Sequence, residues 1–157
     1  MTEKKRTVYI AAAGTGGHVM PGLAVARELK ARGWEVAWLG TTTGMESDLV
    51  GREGIPFMGL NFQGVRGRGL LGAVKGGLKL IQAFFAARSV LAEARPTIIF
   101  STGGYIAVPV GFAARSLGIP LVMMNCDADL LMSTNTLLKV CQAVACGFAG
   151  GARSFAK

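Results

Sequence analysis

The sequence has 157 residues, of which 51% are hydrophobic and 17% are charged, and its net charge is +8. This composition excludes a disordered chain, because the apolar surface is large enough to offset the entropy lost on ordering. The length fits one domain, and the excess of basic residues favours an anionic partner such as a phosphorylated ligand, a nucleic acid or an acidic membrane.

Strand-like and helix-like segments alternate from the start of the chain. Short apolar runs predict strands at residues 7–12, 35–39, 55–60, 97–100, 120–124 and 143–148. Helical spacing of apolar residues predicts helices at residues 19–32, 44–52, 70–94, 108–117 and 130–139. This order predicts an α/β fold, a Rossmann-like parallel sheet with helices on both faces. Residues 1–6 are interpreted as a polar N-terminal tail and residues 7–157 as one domain.

Neither a membrane span nor a metal site is expected. Residues 97–114 carry no charge, but three glycines and a proline interrupt them, which favours a strand, a loop and a helix over a span. The three cysteines form no C-x-x-C pair and His18 is the single histidine, so the sequence predicts no metal centre and no cofactor.

The first glycine loop comprises Gly14, Thr15, Gly16 and Gly17, between the first strand and the first helix. Glycine allows close backbone approach, and the unpaired amides at a helix start favour an anion. A tight turn that merely requires glycine is the alternative. The G-x-G-G spacing, with no acidic residue after the second strand, argues against a dinucleotide site.

A second loop, from Ser101 through Gly103 and Gly104 to Tyr105, repeats this arrangement after the fourth predicted strand. The carboxyl ends of parallel strands face the ligand crevice, so both loops would offer amides to a diphosphate. His18 directly follows the first loop, where a neutral imidazole is able to take a proton from a sugar hydroxyl. From its position alone, a structural histidine is an equal alternative.

The most basic part of the chain surrounds the longest predicted helix. Residues 66–95 hold six basic side chains and one acidic, so they contribute +5 of the net charge of +8. Apolar residues fringed by lysine and arginine fit an anionic membrane surface, and a solvated amphipathic helix is the alternative. The predicted membrane patch is Arg66, Arg68, Leu70, Leu71, Val74, Lys75, Lys79, Phe84, Phe85 and Arg88. The sequence contains no recognised nucleic-acid-binding motif.

Several separate motifs occur in a specific order along the chain. They are GTGGHVMPGLAVA at residues 14–26, WLG at 38–40, GME at 44–46, GVRGRG at 64–69, GGY at 103–105 and GIPLV at 118–122. In these motifs the sequence resembles the amino-terminal half of the MurG family, which are GT-B N-acetylglucosaminyltransferases of peptidoglycan synthesis. The resemblance spans essentially the whole chain.

The resemblance implies the acceptor-binding half of a GT-B fold, with a donor-binding domain outside this chain. The implied reaction moves N-acetylglucosamine from UDP-N-acetylglucosamine to lipid I, the undecaprenyl-diphosphate-linked muramoyl pentapeptide. The implied location is the cytoplasmic face of the bacterial inner membrane, where the family is peripheral and docks through its basic helix. His18 matches the family's general base, Tyr105 matches a cleft residue, and both glycine loops match contacts to diphosphate or donor sugar. The fragment alone is expected to be inactive.

Some positions depart from the family. Residues 124–127 are MNCD instead of His-Glu-Gln-Asn, so Asp127 stands where the family has the asparagine associated with the donor sugar. Ala13 replaces a glycine that usually precedes Gly14. Two other functions stay open: another GT-B enzyme such as a UDP-N-acetylglucosamine 2-epimerase, and a non-catalytic module that binds a membrane surface. The loop at residues 64–69 and the basic helix favour the lipid-linked acceptor.

Overall fold

The structure is a computed structural model that describes residues 5–63, 69–127 and 132–149. Its strands are β1 (Thr7–Ala12), β2 (Glu35–Thr41), β3 (Phe57–Leu60), β4 (Ile98–Gly103), β5 (Leu121–Asn125) and β6 (Ala143–Cys146). Its helices are α1 (Gly16–Ala31), α2 (Glu46–Arg52), α3 (Gly69–Ala94), α4 (Ala107–Ser116) and α5 (Met132–Leu137). The strands form one parallel sheet in the order β3-β2-β1-β4-β5-β6. The predicted Rossmann-like sheet is thus confirmed, and its strand order reverses between β1 and β4, where such sheets bind ligands.

Strand β1 separates two hydrophobic cores by the alternation of its side chains. Val8 and Ile10 pack on one face with residues of α1 and α2, whereas Tyr9 and Ala11 pack on the other with residues of α3, α4 and α5. A strand covered on both faces requires an apolar residue at every position, which is why β1 reads as a continuous apolar run. The prediction of helices on both faces of the sheet is confirmed.

The described end of the predicted N-terminal tail lies against the start of β2. Lys5 Nζ is 2.9 Å from Glu35 Oε1, and the Glu35 amide donates a hydrogen bond of 2.9 Å to Arg6 O. The Arg6 guanidinium lies 5.1 Å from the centroid of the Trp34 ring, within the range of a cation–π contact. These contacts hold residues 5 and 6 on the domain.

The two largest differences from the predicted boundaries at the edge of the sheet where the site lies are those of α1 and β4. Helix α1 begins at Gly16 rather than at residue 19, so two glycines of the predicted loop form its first turn. Strand β4 continues to Gly103, although the sequence predicts its end at residue 100. Glycine, serine and threonine carry no apolar period, so hydrophobic spacing does not reveal either boundary.

Candidate active site

The two glycine loops contact each other at the carboxyl edge of β1 and β4. Gly14 has a φ of +110°, and a Cβ on it would lie 3.3 Å from the Tyr105 ring. Gly104 has a φ of +85°, and a Cβ on it would lie only 2.5 Å from Ala13 O. Glycine is therefore required at both positions, by the left-handed backbone and by the close approach of the loops. The structure thus brings together the two loops that lie ninety residues apart in sequence.

An irregularity in β4 sets the geometry of the second loop. Ala11 pairs with Ser101 and Ala12 with Gly103, so Thr102 is an extra residue on β4. The Ser101 hydroxyl donates a hydrogen bond of 2.6 Å to Ala11 O and accepts one of 3.2 Å from the Gly103 amide. Such bulges re-aim the extra residue. Here the redirected residue is Thr102, which is fully buried.

Thr102 holds His18 from two sides. Its carbonyl oxygen lies 3.0 Å from His18 Nδ1, and its hydroxyl donates a hydrogen bond of 2.6 Å to His18 O. A carbonyl oxygen only accepts, so Nδ1 carries the hydrogen and Nε2 keeps the lone pair of the neutral imidazole. The ring is therefore oriented with its basic nitrogen free of the Thr102 bond, which is the form that a general base requires.

A cleft of about 760 Å³ opens beside this histidine. Its described lining residues are Ala13, Gly14, Thr15, His18, Thr43, Gln63, Lys79, Gly104 and Tyr105. A second cleft of about 440 Å³ shares His18, Gly104 and Tyr105 with the first and continues towards α3, α4 and α5. The Tyr105 ring forms part of the wall between them and packs 5.9 Å from the Phe62 ring, centroid to centroid.

The first turn of α1 faces the same region. Thr15 is the N-cap, yet its side chain makes no capping hydrogen bond, and its carbonyl accepts from the amides of His18 and Val19. Amides at the very start of a helix have no partner within the helix, so those of Gly16 and Gly17 are available to a ligand. Together with the helix dipole they favour negative charge beside Thr15 in the cleft.

The predicted site residues do not all come together. Gly14, Thr15, His18, Gly104 and Tyr105 line the cleft. Gly16 and Gly17 lie in α1, and Gly103 ends β4. Asp127 follows β5, is exposed, and lines neither of the two clefts; its carbonyl oxygen accepts a hydrogen bond of 2.8 Å from Asn125 Nδ2.

Sequence reasoning did not place three of the polar lining residues, Thr43, Gln63 and Lys79, in the cleft. Thr43 Oγ1 accepts a hydrogen bond of 3.4 Å from Gln63 Nε2, and two residues earlier the amide and hydroxyl of Thr41 each donate one of 2.7 Å to the buried Glu46 Oε1. A side chain on Gly44 would overlap the Glu46 carboxylate, which explains the GME motif. Lys79, predicted for the membrane patch, lines the cleft instead of lying wholly on the outer surface.

Cys126 lies beside the carbonyl group that orients His18, and its reactivity tests the position of the Asp127 carboxylate. Its Sγ is 3.9 Å from Thr102 O, the same carbonyl that accepts from His18. Burial raises the pKa of the Cys126 thiol, and the Asp127 carboxylate raises this pKa further, because both disfavour the thiolate.

We expect Asp127→Asn to lower the pKa of Cys126, because one of the two causes is removed. The thiolate fraction at pH 8 then rises, and iodoacetamide alkylates Cys126 faster, as read by mass spectrometry. Cys141 is the internal control, since burial raises its pKa without a contribution from Asp127. Unchanged alkylation of Cys126 would show that the Asp127 carboxylate points away from it.

The apolar residues at the start of the predicted membrane patch are exposed. The α3 apolar face is defined here as Leu70, Leu71, Val74, Leu78, Ile81 and Phe85, each more than half exposed. Lys75 and Arg88 are also exposed on this helix, and Arg88 Nε donates a hydrogen bond of 3.2 Å to Ser116 Oγ. Phe84 is half-buried and packs against the core, so its ring is only partly on the surface. Arg66 and Arg68 lie outside the described residues.

Helix α3 is also long and apolar enough to cross a membrane by length and composition, with a mean hydropathy of 1.3 over its most apolar window. Only 17% of that window is buried. No other helix in the described part of the chain meets this criterion. Within residues 5–63, 69–127 and 132–149, no three histidine, cysteine or acidic side chains are grouped so that they could hold a metal ion.

The chain is similar in sequence to named transferases and in fold to solved structures. A relative from Chromobacterium violaceum is 52% identical over 94% of this chain, and the match covers 41% of the relative, so the chain spans about two-fifths of its length. That relative is named UDP-N-acetylglucosamine--N-acetylmuramyl-(pentapeptide) pyrophosphoryl-undecaprenol N-acetylglucosamine transferase. The crystal structure of Acinetobacter baumannii MurG matches with a TM-score of 0.83 and 37% identity, over 93% of this chain and 43% of that one.

More distant structures share the fold alone. The UDP-GlcNAc 2-epimerase from Methanocaldococcus jannaschii matches 89% of this chain and 38% of its own, with a TM-score of 0.62 but 12% identity. Residues 8–146 match the glycosyltransferase family 28 N-terminal domain. The chain belongs to this family of glycosyltransferase domains.

Proposed function

We propose that this chain is the acceptor-binding domain, from residue 7 onward, of a transferase that moves N-acetylglucosamine from UDP-N-acetylglucosamine to lipid I. The name of the Chromobacterium violaceum relative supports the reaction, and the remaining three-fifths of that relative leave room for a donor-binding domain. The observation that carries the proposal is the orientation of His18, whose Nδ1 lies 3.0 Å from Thr102 O beside the cleft.

In the proposed reaction His18 acts as the general base. The 4-hydroxyl of the muramoyl sugar attacks C1 of the donor sugar, a C–O bond forms, and UDP leaves with the electrons of the bond that breaks. Because the hydroxyl attacks C1 in one step, on the face opposite to UDP, the configuration at C1 inverts. The hydroxyl proton passes to Nε2 of His18, while the amides of Gly16, Gly17 and the second loop stabilise negative charge on the lipid diphosphate.

A transfer assay with the full-length protein tests the proposal. Incubation with radiolabelled UDP-N-acetylglucosamine and a short-chain lipid I analogue is expected to move the label into the lipid product. Without the analogue, the label stays on the nucleotide sugar. Epimerisation or hydrolysis of UDP-N-acetylglucosamine with no transfer to the analogue would contradict the proposal.

We also propose that the α3 apolar face rests on the cytoplasmic surface of the bacterial inner membrane. Lys75, Lys79 and Arg88 would attract its anionic lipids. A peripheral arrangement is favoured over a span because α3 connects β3 to β4, and its Ala87 and Leu91 are fully buried. A helix that crossed the bilayer would remove both residues from the core. The purpose of docking is to bring the cleft to a substrate whose hydrocarbon tail stays in the membrane.

Substituting Leu70 and Leu71 by glutamine is expected to weaken binding to phosphatidylglycerol vesicles by at least about tenfold. These side chains are 84% and 78% exposed, and a leucine that becomes fully buried in an apolar phase contributes about 1.5–3 kcal/mol. Co-sedimentation measures the change. The matched control replaces Met20 and Met45 by glutamine; these residues are 52% and 51% exposed but lie outside α3. Equal vesicle binding by the two double variants would contradict membrane docking through α3.

A further inference from the structure

Lys79 combines two positions, on the basic helix α3 and in the lining of the cleft that contains His18. Among the described lining residues it is the only lysine or arginine, and none of them is a carboxylate. The others are small or polar, and His18 is the only other one with a basic nitrogen. A lining of neutral donors with a single ammonium group is suited to an anion.

Three neighbouring clefts beside α3 change from polar to apolar in their lining. The cleft of about 440 Å³ shares His18 with the polar cleft, and it shares Leu80 and Val108 with a third cleft of about 390 Å³. This third cleft lies between α3 and α4, and its lining is entirely apolar: Leu80, Ile81, Phe84, Phe85, Val108, Pro109 and Phe112. Lys79 lines the polar cleft with His18, and the next residue of α3, Leu80, lines the other two clefts.

An amphiphile made of a sugar, a diphosphate and a hydrocarbon chain combines a polar, an anionic and an apolar part, which match the base, the ammonium group and the apolar cleft along α3. We propose that Lys79 binds the diphosphate of the lipid-linked acceptor, with the sugar directed to His18 and the first hydrocarbon units to the apolar cleft between α3 and α4. This inference rests on the proposed function for the identity of the acceptor. A nucleoside diphosphate has the charge but no hydrocarbon to occupy the apolar cleft, so it fits this arrangement less well.

Lys75 is a matched control for Lys79. It precedes Lys79 by one helical turn, is exposed, and lines none of the three clefts. Lys79→Gln and Lys75→Gln each remove one positive charge from the same helix. Any effect of overall charge is therefore the same in both variants, and a difference between them reports on the cleft.

Calorimetric titration of the chain with farnesyl diphosphate, inorganic pyrophosphate and UDP tests the assignment. Lys79→Gln is expected to raise the Kd for farnesyl diphosphate by about tenfold or more, the loss typical of a hydrogen bond to a charged group. Lys75→Gln is expected to stay within about twofold of the unsubstituted chain, and Lys79→Arg to retain most of the affinity. Farnesyl diphosphate is expected to bind more tightly than inorganic pyrophosphate, because its hydrocarbon occupies the apolar cleft.

Equal Kd values for the two glutamine variants would overturn the inference, as would an unsubstituted chain that does not bind farnesyl diphosphate. UDP binding that depends on Lys79 and is tighter than that of farnesyl diphosphate would also overturn it, in favour of a nucleotide site. The titration measures ligand binding and does not require catalytic turnover. Failure of the transfer assay, with Lys79-dependent binding intact, would therefore reject the proposed function and retain a diphosphate site.

Discussion

Replacing His18 by alanine in the full-length protein is expected to lower kcat by about 10²–10⁴-fold, the usual contribution of a general base. The reason is geometric, because the Thr102 carbonyl occupies Nδ1 at 3.0 Å and leaves Nε2 to receive the proton of the sugar hydroxyl. Initial rates of transfer to a lipid I analogue at saturating substrates measure the change. Circular dichroism establishes that the variant is folded.

The variant His18→Asn distinguishes a role of His18 as a general base from a structural role. Its side-chain amide nitrogen is able to donate to Thr102 O as Nδ1 does, but it offers no basic nitrogen in place of Nε2. We expect kcat of His18→Asn to be as low as that of His18→Ala, with thermal stability closer to that of the unsubstituted protein. A kcat of His18→Asn within about threefold of the unsubstituted value would assign His18 a purely structural role.

Gly104→Ala is expected to lower the free energy of unfolding of the chain by about 2–5 kcal/mol. The left-handed backbone, with a φ of +85°, costs an alanine about 1–2 kcal/mol. The new Cβ would lie 2.5 Å from Ala13 O, and the backbone shift that relieves this contact adds about 1–3 kcal/mol. Because the shift separates the two loops, transfer by the full-length variant is expected to fall as well.

Gly118→Ala is the matched control for this prediction. Gly118 also has a left-handed backbone, with a φ of +68°, but a Cβ there meets no atom within 4 Å. Its substitution is expected to cost only the backbone term of about 1–2 kcal/mol. Urea denaturation measures both variants, with the slope against denaturant checked for constancy. Equal losses in the two variants would mean that Ala13 O does not approach Gly104 closely enough to exclude a side chain there.

The sequence by itself was sufficient for the alternation of strands and helices and for the parallel sheet. These properties depend on local periods: β1 reads as a continuous apolar run because both its faces are covered, and α1 is followed by Gly33 with a φ of +81°. Gly14 and Gly104 were recognisable as loop glycines because each follows a strand-like apolar run, and their positive φ values agree with that prediction.

Only the tertiary structure decided which other polar side chains join the two loops and His18 in the cleft and which residue orients His18. Thr102 contacts His18 across 84 positions of sequence, through a bulge in β4 that no apolar pattern indicates. Lys75 and Lys79 look alike in the sequence, yet only Lys79 lines the cleft. Hydrophobic spacing reports which face of an element is buried. The partner of a polar side chain instead depends on how strands β1 and β4 and helix α3 come together, and that arrangement forms only when the sheet is assembled.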